Sequence, residues 1–191
     1  MPTRPANYLA GNTWSTLEKL MMHATRTYLR AAAVLLLGFA ANLAHAAQGD
    51  DFLDRASANG IAEIETARMA LETSQAEDVR AFAQRMLDDH TKSRQDMARL
   101  AKEKNLPLSD EATLMNKAKA MILELRDGED FNEAYANNQV VAHEQTIELY
   151  RDYLKNGQNS DLKQFAKKML PTLEEHLQQA KQLQTRHVEQ D

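Results

Sequence analysis

The chain has 191 residues and no cysteine, so it has neither disulfides nor thiol chemistry. Its only tryptophan, Trp14, sits near the N-terminus, and glycine and proline number six and four. Helix breakers are therefore rare. Beyond residue 46 they fall at points of punctuation, notably Leu106-Pro107, Asp127-Gly128 and Asn156-Gly157. Strand-like alternation is absent. A basic excess is also absent: residues 47–191 hold 19 Lys/Arg against 27 Asp/Glu, a net charge of −8. Such a balance does not favour nucleic acid or an anionic membrane as partner. No nucleophile–base arrangement, phosphate-binding loop or basic patch stands out.

Residues 1–46 read as a signal peptide. Arg26 and Arg30 precede an apolar run from Ala31 to Ala44, and Ala44-His45-Ala46 forms a small-residue cleavage pattern, with Ala47 as the first mature residue. The run is short for a membrane span, and no cysteine at the cut would accept a lipid. A start at Met21 or Met22 gives a leader of about 25 residues, an ordinary length. The competing reading is a membrane-anchored cytoplasmic tail. Residues 47–191 then form one domain, expected to be periplasmic or secreted, with no membrane span. Its length suffices to bury a core without staples.

One phrase occurs twice. Asp78-Val79-Arg80-Ala81-Phe82-Ala83-Gln84-Arg85-Met86-Leu87 returns 83 residues later as Asp161-Leu162-Lys163-Gln164-Phe165-Ala166-Lys167-Lys168-Met169-Leu170. His90 follows the first phenylalanine by eight residues and His176 follows the second by eleven. The difference is about one helical turn, so both histidines leave their helices on nearly the same face. The spacing of apolar residues predicts helices over about 52–73, 77–104, 131–155 and 161–186, with a shorter crossing helix over about 111–125. The fold class expected is all-α: a four-helix bundle of two duplicated helical hairpins with a crossover. Pro171 should kink or bulge the last helix. Gly60 should admit a neighbouring helix, and the methionines (Met69, Met86, Met97, Met115, Met121, Met169) read as core filler.

Three of the four buried stripes pass through polar residues: Glu63, His90 and His176. His143 flanks the stripe on the third long helix. A buried carboxylate costs several kcal/mol unless it is paired or binds metal, and buried imidazoles need partners. Two readings satisfy this. In one, Glu63 accepts hydrogen bonds from the histidines and fixes helix register. In the other, Glu63, His90, His143 and His176 bind one transition-metal ion, zinc, iron or copper rather than magnesium or calcium. Asp89 and Glu175 are then the candidates to hold imidazole N–H groups from behind. His187, near the C-terminus, reads as bland.

Taken together, Ile61-Ala62-Glu63-Ile64-Glu65, the run Phe82 to Thr91 around His90, Ala142-His143-Glu144 and Leu170-Pro171-Thr172-Leu173-Glu174-Glu175-His176 resemble one family. It is the bacterial exported domain of unknown function numbered four-one-four-two, often called a predicted outer membrane protein. The resemblance spans about residues 50–187 and implies a ferritin-like bundle, with no activity attached. No barrel strands support the outer-membrane label. Ferritin-like di-iron proteins carry Glu-x-x-His on two helices. Here the residues three before His90 and His176 are Leu87 and Leu173, and no Glu-x-x-His occurs in the chain. A di-iron oxidase is therefore disfavoured. Three readings remain: a non-enzymatic periplasmic bundle with an envelope or stress role, a metal-dependent oxidase or peroxide-handling enzyme, and a metal-free structural or interaction module. Nothing in the sequence names a partner, and oligomerisation is left open.

Overall fold

A computed structural model of the protein describes residues 51–188. The expected leader, its cleavage point and the alternative starts fall outside them. The described residues form five helices and no strand: α1 (51–73), α2 (Glu77–Lys104), α3 (Leu114–Glu124), α4 (Gly128–Asn156) and α5 (Ser160–Val188). The all-α expectation holds. Among these residues, no helix is long and apolar enough to cross a membrane.

The helix ends have local causes. Glu77 and Asp78 open α2, and Lys102 and Lys104 close it, each sign favouring its end of the helix dipole. Asn105 is left-handed at φ 52°, and the Leu106 N–H returns to the Ala101 carbonyl at 2.9 Å, which satisfies an orphan carbonyl. Pro107 then prevents continuation. The crossing helix α3 starts at Leu114 rather than Glu111 because Thr113 caps it: its hydroxyl accepts from the Asn116 N–H at 3.2 Å. Gly128, at φ 52°, lets α4 begin three residues before the expected Phe131. At Gly157 a Cβ would lie 2.6 Å from the Tyr153 carbonyl oxygen, so glycine is required there. Pro171 lies within α5, which continues through it as one helix with the proline exposed.

Two apolar clusters hold the four long helices together. One contains Phe52 and Leu53 of α1, Met97 and Ala101 of α2, Tyr150 and Tyr153 of α4, and Leu162 and Phe165 of α5. The other contains Ala67 and Ala70, Val79 and Phe82, Phe131 and Tyr135, and Ala180 and Leu183. Their membership fixes direction. The start of α1 meets the ends of α2 and α4 and the start of α5, so α1 and α5 run one way and α2 and α4 the other. The repeated phenylalanines consequently lie at opposite ends, Phe82 beside Tyr135 (6.2 Å between rings) and Phe165 beside Tyr150 (6.3 Å). Each buried large side chain contributes about 1.5–3 kcal/mol.

Two expectations need correction. A methyl added at Gly60 would meet only the side chains of Arg94 and Met97, at 3.5 and 3.8 Å, which is ordinary contact. Close backbone approach is not the reason for this glycine. Met115 and Met121, read as core filler, are exposed on α3 with Leu114 and Ile122, as is Leu125 just past its end. Only Leu123 of that helix is buried.

Candidate metal centre

Between the two apolar clusters lies a polar layer. On every long helix its residue falls between members of the two clusters: Glu63 between Ala56 and Ala67, His90 between Met86 and Met97, His143 between Val140 and Ile147, His176 between Leu173 and Ala180. All four are buried, His143 and His176 at 1% exposure. His143 is central rather than flanking. Helical rotation turns His143 inward and leaves Ala142, the residue placed on the stripe, half-buried.

The three imidazoles form a nearly equilateral triangle. Their ring centroids are 5.6 Å (His90–His143), 5.5 Å (His90–His176) and 5.4 Å (His143–His176) apart. One nitrogen from each ring lies within 4.8 Å of the other two. Hydrogen bonding decides which nitrogens point inward. His143 Nδ1 lies 2.9 Å from the Gln139 backbone carbonyl, which can only accept, so Nδ1 carries the proton. His176 Nε2 lies 2.9 Å from Asp89 Oδ2 and donates to that carboxylate. The opposite atoms, His143 Nε2 and His176 Nδ1, are thereby left with lone pairs. Both are buried without a hydrogen-bond partner, as is His90 Nε2.

Burial keeps His90 and His176 neutral. It pushes the pKa of His90 well below the usual imidazole range, helped by His143 and His176. Burial likewise lowers His176 to about 4, although Asp89 pulls the other way. Neutral imidazole is the metal-binding form. Three buried, unpartnered imidazole nitrogens fit a zinc-, iron- or copper-type ion, which takes such ligands three at a time with a fourth position left open.

The other sequence-selected residues divide. Asp89 touches His176 directly. Glu175 does not touch a ring: its carboxylate binds Arg85 Nη2 at 2.9 Å, and Arg85 Nε lies 3.4 Å from Asp89 Oδ2. The order is Glu175, Arg85, Asp89, His176, running from α5 to two residues of α2 and back to α5. Glu63 stands apart from the three-nitrogen group. Burial raises its pKa against the opposing pull of His143 and Gln139, and its Oε2 has no partner.

Sequence reasoning missed Arg85 and His187. The Arg85–Asp89 pair has i,i+4 spacing and was legible. His187 is a clasp rather than a bland end. It bonds Glu129 at the start of α4, and its Nε2 lies 3.3 Å from Asp78 at the start of α2, where Arg186 also binds at 2.8 Å. The signal was a basic last turn facing two acidic first turns.

The family model titled domain of unknown function DUF4142 matches residues 36–183. The chain belongs to this family. Among solved structures it is similar to a DUF305 fragment from Deinococcus radiodurans, with TM-score 0.66 and 14% identity over 73% of this chain and 96% of that one. Likeness at that identity concerns the fold alone. Comparison with curated proteins found no match.

Proposed function

We propose that this DUF4142 protein is an exported, non-enzymatic metal-binding bundle with an envelope or stress role. In this reading it holds one zinc, iron or copper ion through His90, His143 and His176. The architecture proposed is a ferritin-like four-helix bundle of two duplicated hairpins, each giving two groups to the polar layer: Glu63 and His90 from one, His143 and His176 from the other. The observation that carries the reading is the convergence of three buried, unpartnered imidazole nitrogens, two of them held as lone pairs by hydrogen bonds on the far side of the ring. Buried polar atoms are as a rule satisfied, and one ion would satisfy all three nitrogens at once.

The chain's own groups supply the rest. The Gln139 carbonyl and Asp89 hold two rings in the ligating tautomer. Glu63 places a carboxylate within reach of His143 but outside the three-nitrogen group. Binding rather than catalysis is supported by the enclosure of the rings. Neither the cavity beside Glu63 nor the cleft beside Asp89 is lined by any of them.

The test is metal analysis of untagged protein before and after exposure to zinc, iron(II) and copper(II). One tightly held ion per chain is expected, lost in His90→Ala, His143→Ala and His176→Ala. Metal-free protein whose melting temperature is unmoved by all three ions would overturn the reading.

A further inference from the structure

A second group of buried polar atoms also lacks partners. Glu63 Oε2, Gln139 Oε1 and the Tyr135 hydroxyl are all unpaired. Gln139 and His143 act on the Glu63 carboxyl, and Glu63 acts on Tyr135, so the three unpaired groups are neighbours. Glu63 is also the one buried carboxylate among the described residues, at 5% exposure. This set offers oxygen donors where the histidine triangle offers nitrogen.

A small cavity lies against Glu63 beneath α3. It measures about 20 Å³ and is lined also by Thr66, Thr146 and Asn59, roofed by Asn116 and Lys119 of α3. That volume suits a single water or ion. Open clefts of about 380 and 490 Å³ share Lys119 with this cavity. The roof is lightly held. Its polar tie at this point is Asn116 Nδ2 to Asn59 Oδ1 at 3.4 Å, and only Leu123 of α3 is buried.

We propose that the Glu63 cavity is a second, transient cation position, the port through which a divalent ion passes from beneath α3 to the histidine centre. The proposal rests on the reading of the three histidines as ligands. An ion entering a dry core must exchange its water for other oxygen donors before it meets nitrogen, and a buried carboxylate is the group that compensates its charge. Lys119, half-buried and lining the same cavity, is the weakest of the influences on Glu63, and its ammonium opposes an incoming cation. The opposite side is less suited. There a cleft of about 130 Å³ is flanked by Lys92 and Lys168, and Asp89 is already engaged by His176 and Arg85.

The test adds cobalt(II) chloride to metal-free, untagged protein. It follows the visible band of the tetrahedral ion, at equilibrium and by stopped flow. Wild type should fill to one ion per chain. Glu63→Gln should reach the same endpoint at least about tenfold more slowly. Lys119→Ala should fill faster, and Lys168→Ala at the unchanged rate. Loading of Glu63→Gln at the wild-type rate overturns the port. So does an effect of Lys168→Ala without one from Glu63→Gln or Lys119→Ala. Loss of the equilibrium band in Glu63→Gln makes Glu63 a resident ligand and overturns transience. A wild type that never develops the band overturns the histidine reading itself, a result separate from any rate. Lys119→Ala, a change outside the core, keeps the rate test alive should Glu63→Gln misfold.

Discussion

His176 donates its Nε2–H to Asp89 Oδ2 across 2.9 Å, and this one bond decides which nitrogen of the ring faces the other two histidines. Without the carboxylate the proton is free to sit on either nitrogen, and half of the preparation for a metal is lost. Asp89→Ala is expected to weaken metal affinity by about 10–100-fold while the helix content stays unchanged. Isothermal titration with zinc measures this. Equal affinity in wild type and variant would remove Asp89 from the account.

Metal should also stabilise the fold by mass action. At a free concentration about 100 times the dissociation constant, an ion bound only by the native state adds about 2.7 kcal/mol. Thermal melts with and without zinc should differ by several degrees in wild type. They should coincide in His143→Ala, where the triangle is broken.

Acid should destabilise the metal-free protein earlier than ordinary carboxylate titration would. His90 and His176 are held neutral in the fold, His176 down to about 4. In the unfolded chain they protonate near 6.5. The unfolded state therefore binds more protons between those values, and stability falls as pH drops from about 6.5 toward 4. His176 alone accounts for about 3 kcal/mol over that window. Urea unfolding at pH 7, 5.5 and 4.5 reads it directly, and a flat midpoint across the three would contradict it.

Glu63 works in the opposite sense. Burial raises its pKa, so the unfolded chain releases this proton first and stability declines as pH climbs above the ordinary value of 4.5. Glu63→Gln keeps the shape and removes the charge. In metal-free protein at pH 7 it should stabilise by on the order of 1 kcal/mol, seen as a higher urea midpoint.

Gly60→Ala is expected to raise stability by about 0.5–1 kcal/mol, because a helix-interior glycine costs entropy. The methyl finds only ordinary contacts with Arg94 and Met97. A lower melting temperature would mean that α1 and α2 pack more tightly there than these distances allow.

The helices were legible because apolar spacing, the scarcity of glycine and proline, and charged helix ends all agreed. The polar layer was legible as gaps in apolar stripes at Glu63, His90 and His176. His143 was misplaced by one position, because helical phase read from sequence drifts over a 29-residue helix and adjacent residues differ by about 100°. Phase could not separate Glu63 from the histidines either, since that depends on which helices face each other across the core. Nor could it show α3 turning Met115 and Met121 outward. A short crossing helix takes its orientation from what it covers.

The distribution of the polar layer between α1–α2 and α4–α5 has a consequence for how the chain could be divided. Neither pair owns more than two of the four groups, and the two pairs are joined covalently only through the segment around α3. Cut there, the fragments would each carry an incomplete centre. An ion at the triangle would then act as a fastener between separate pieces, and a chelator would release one from the other.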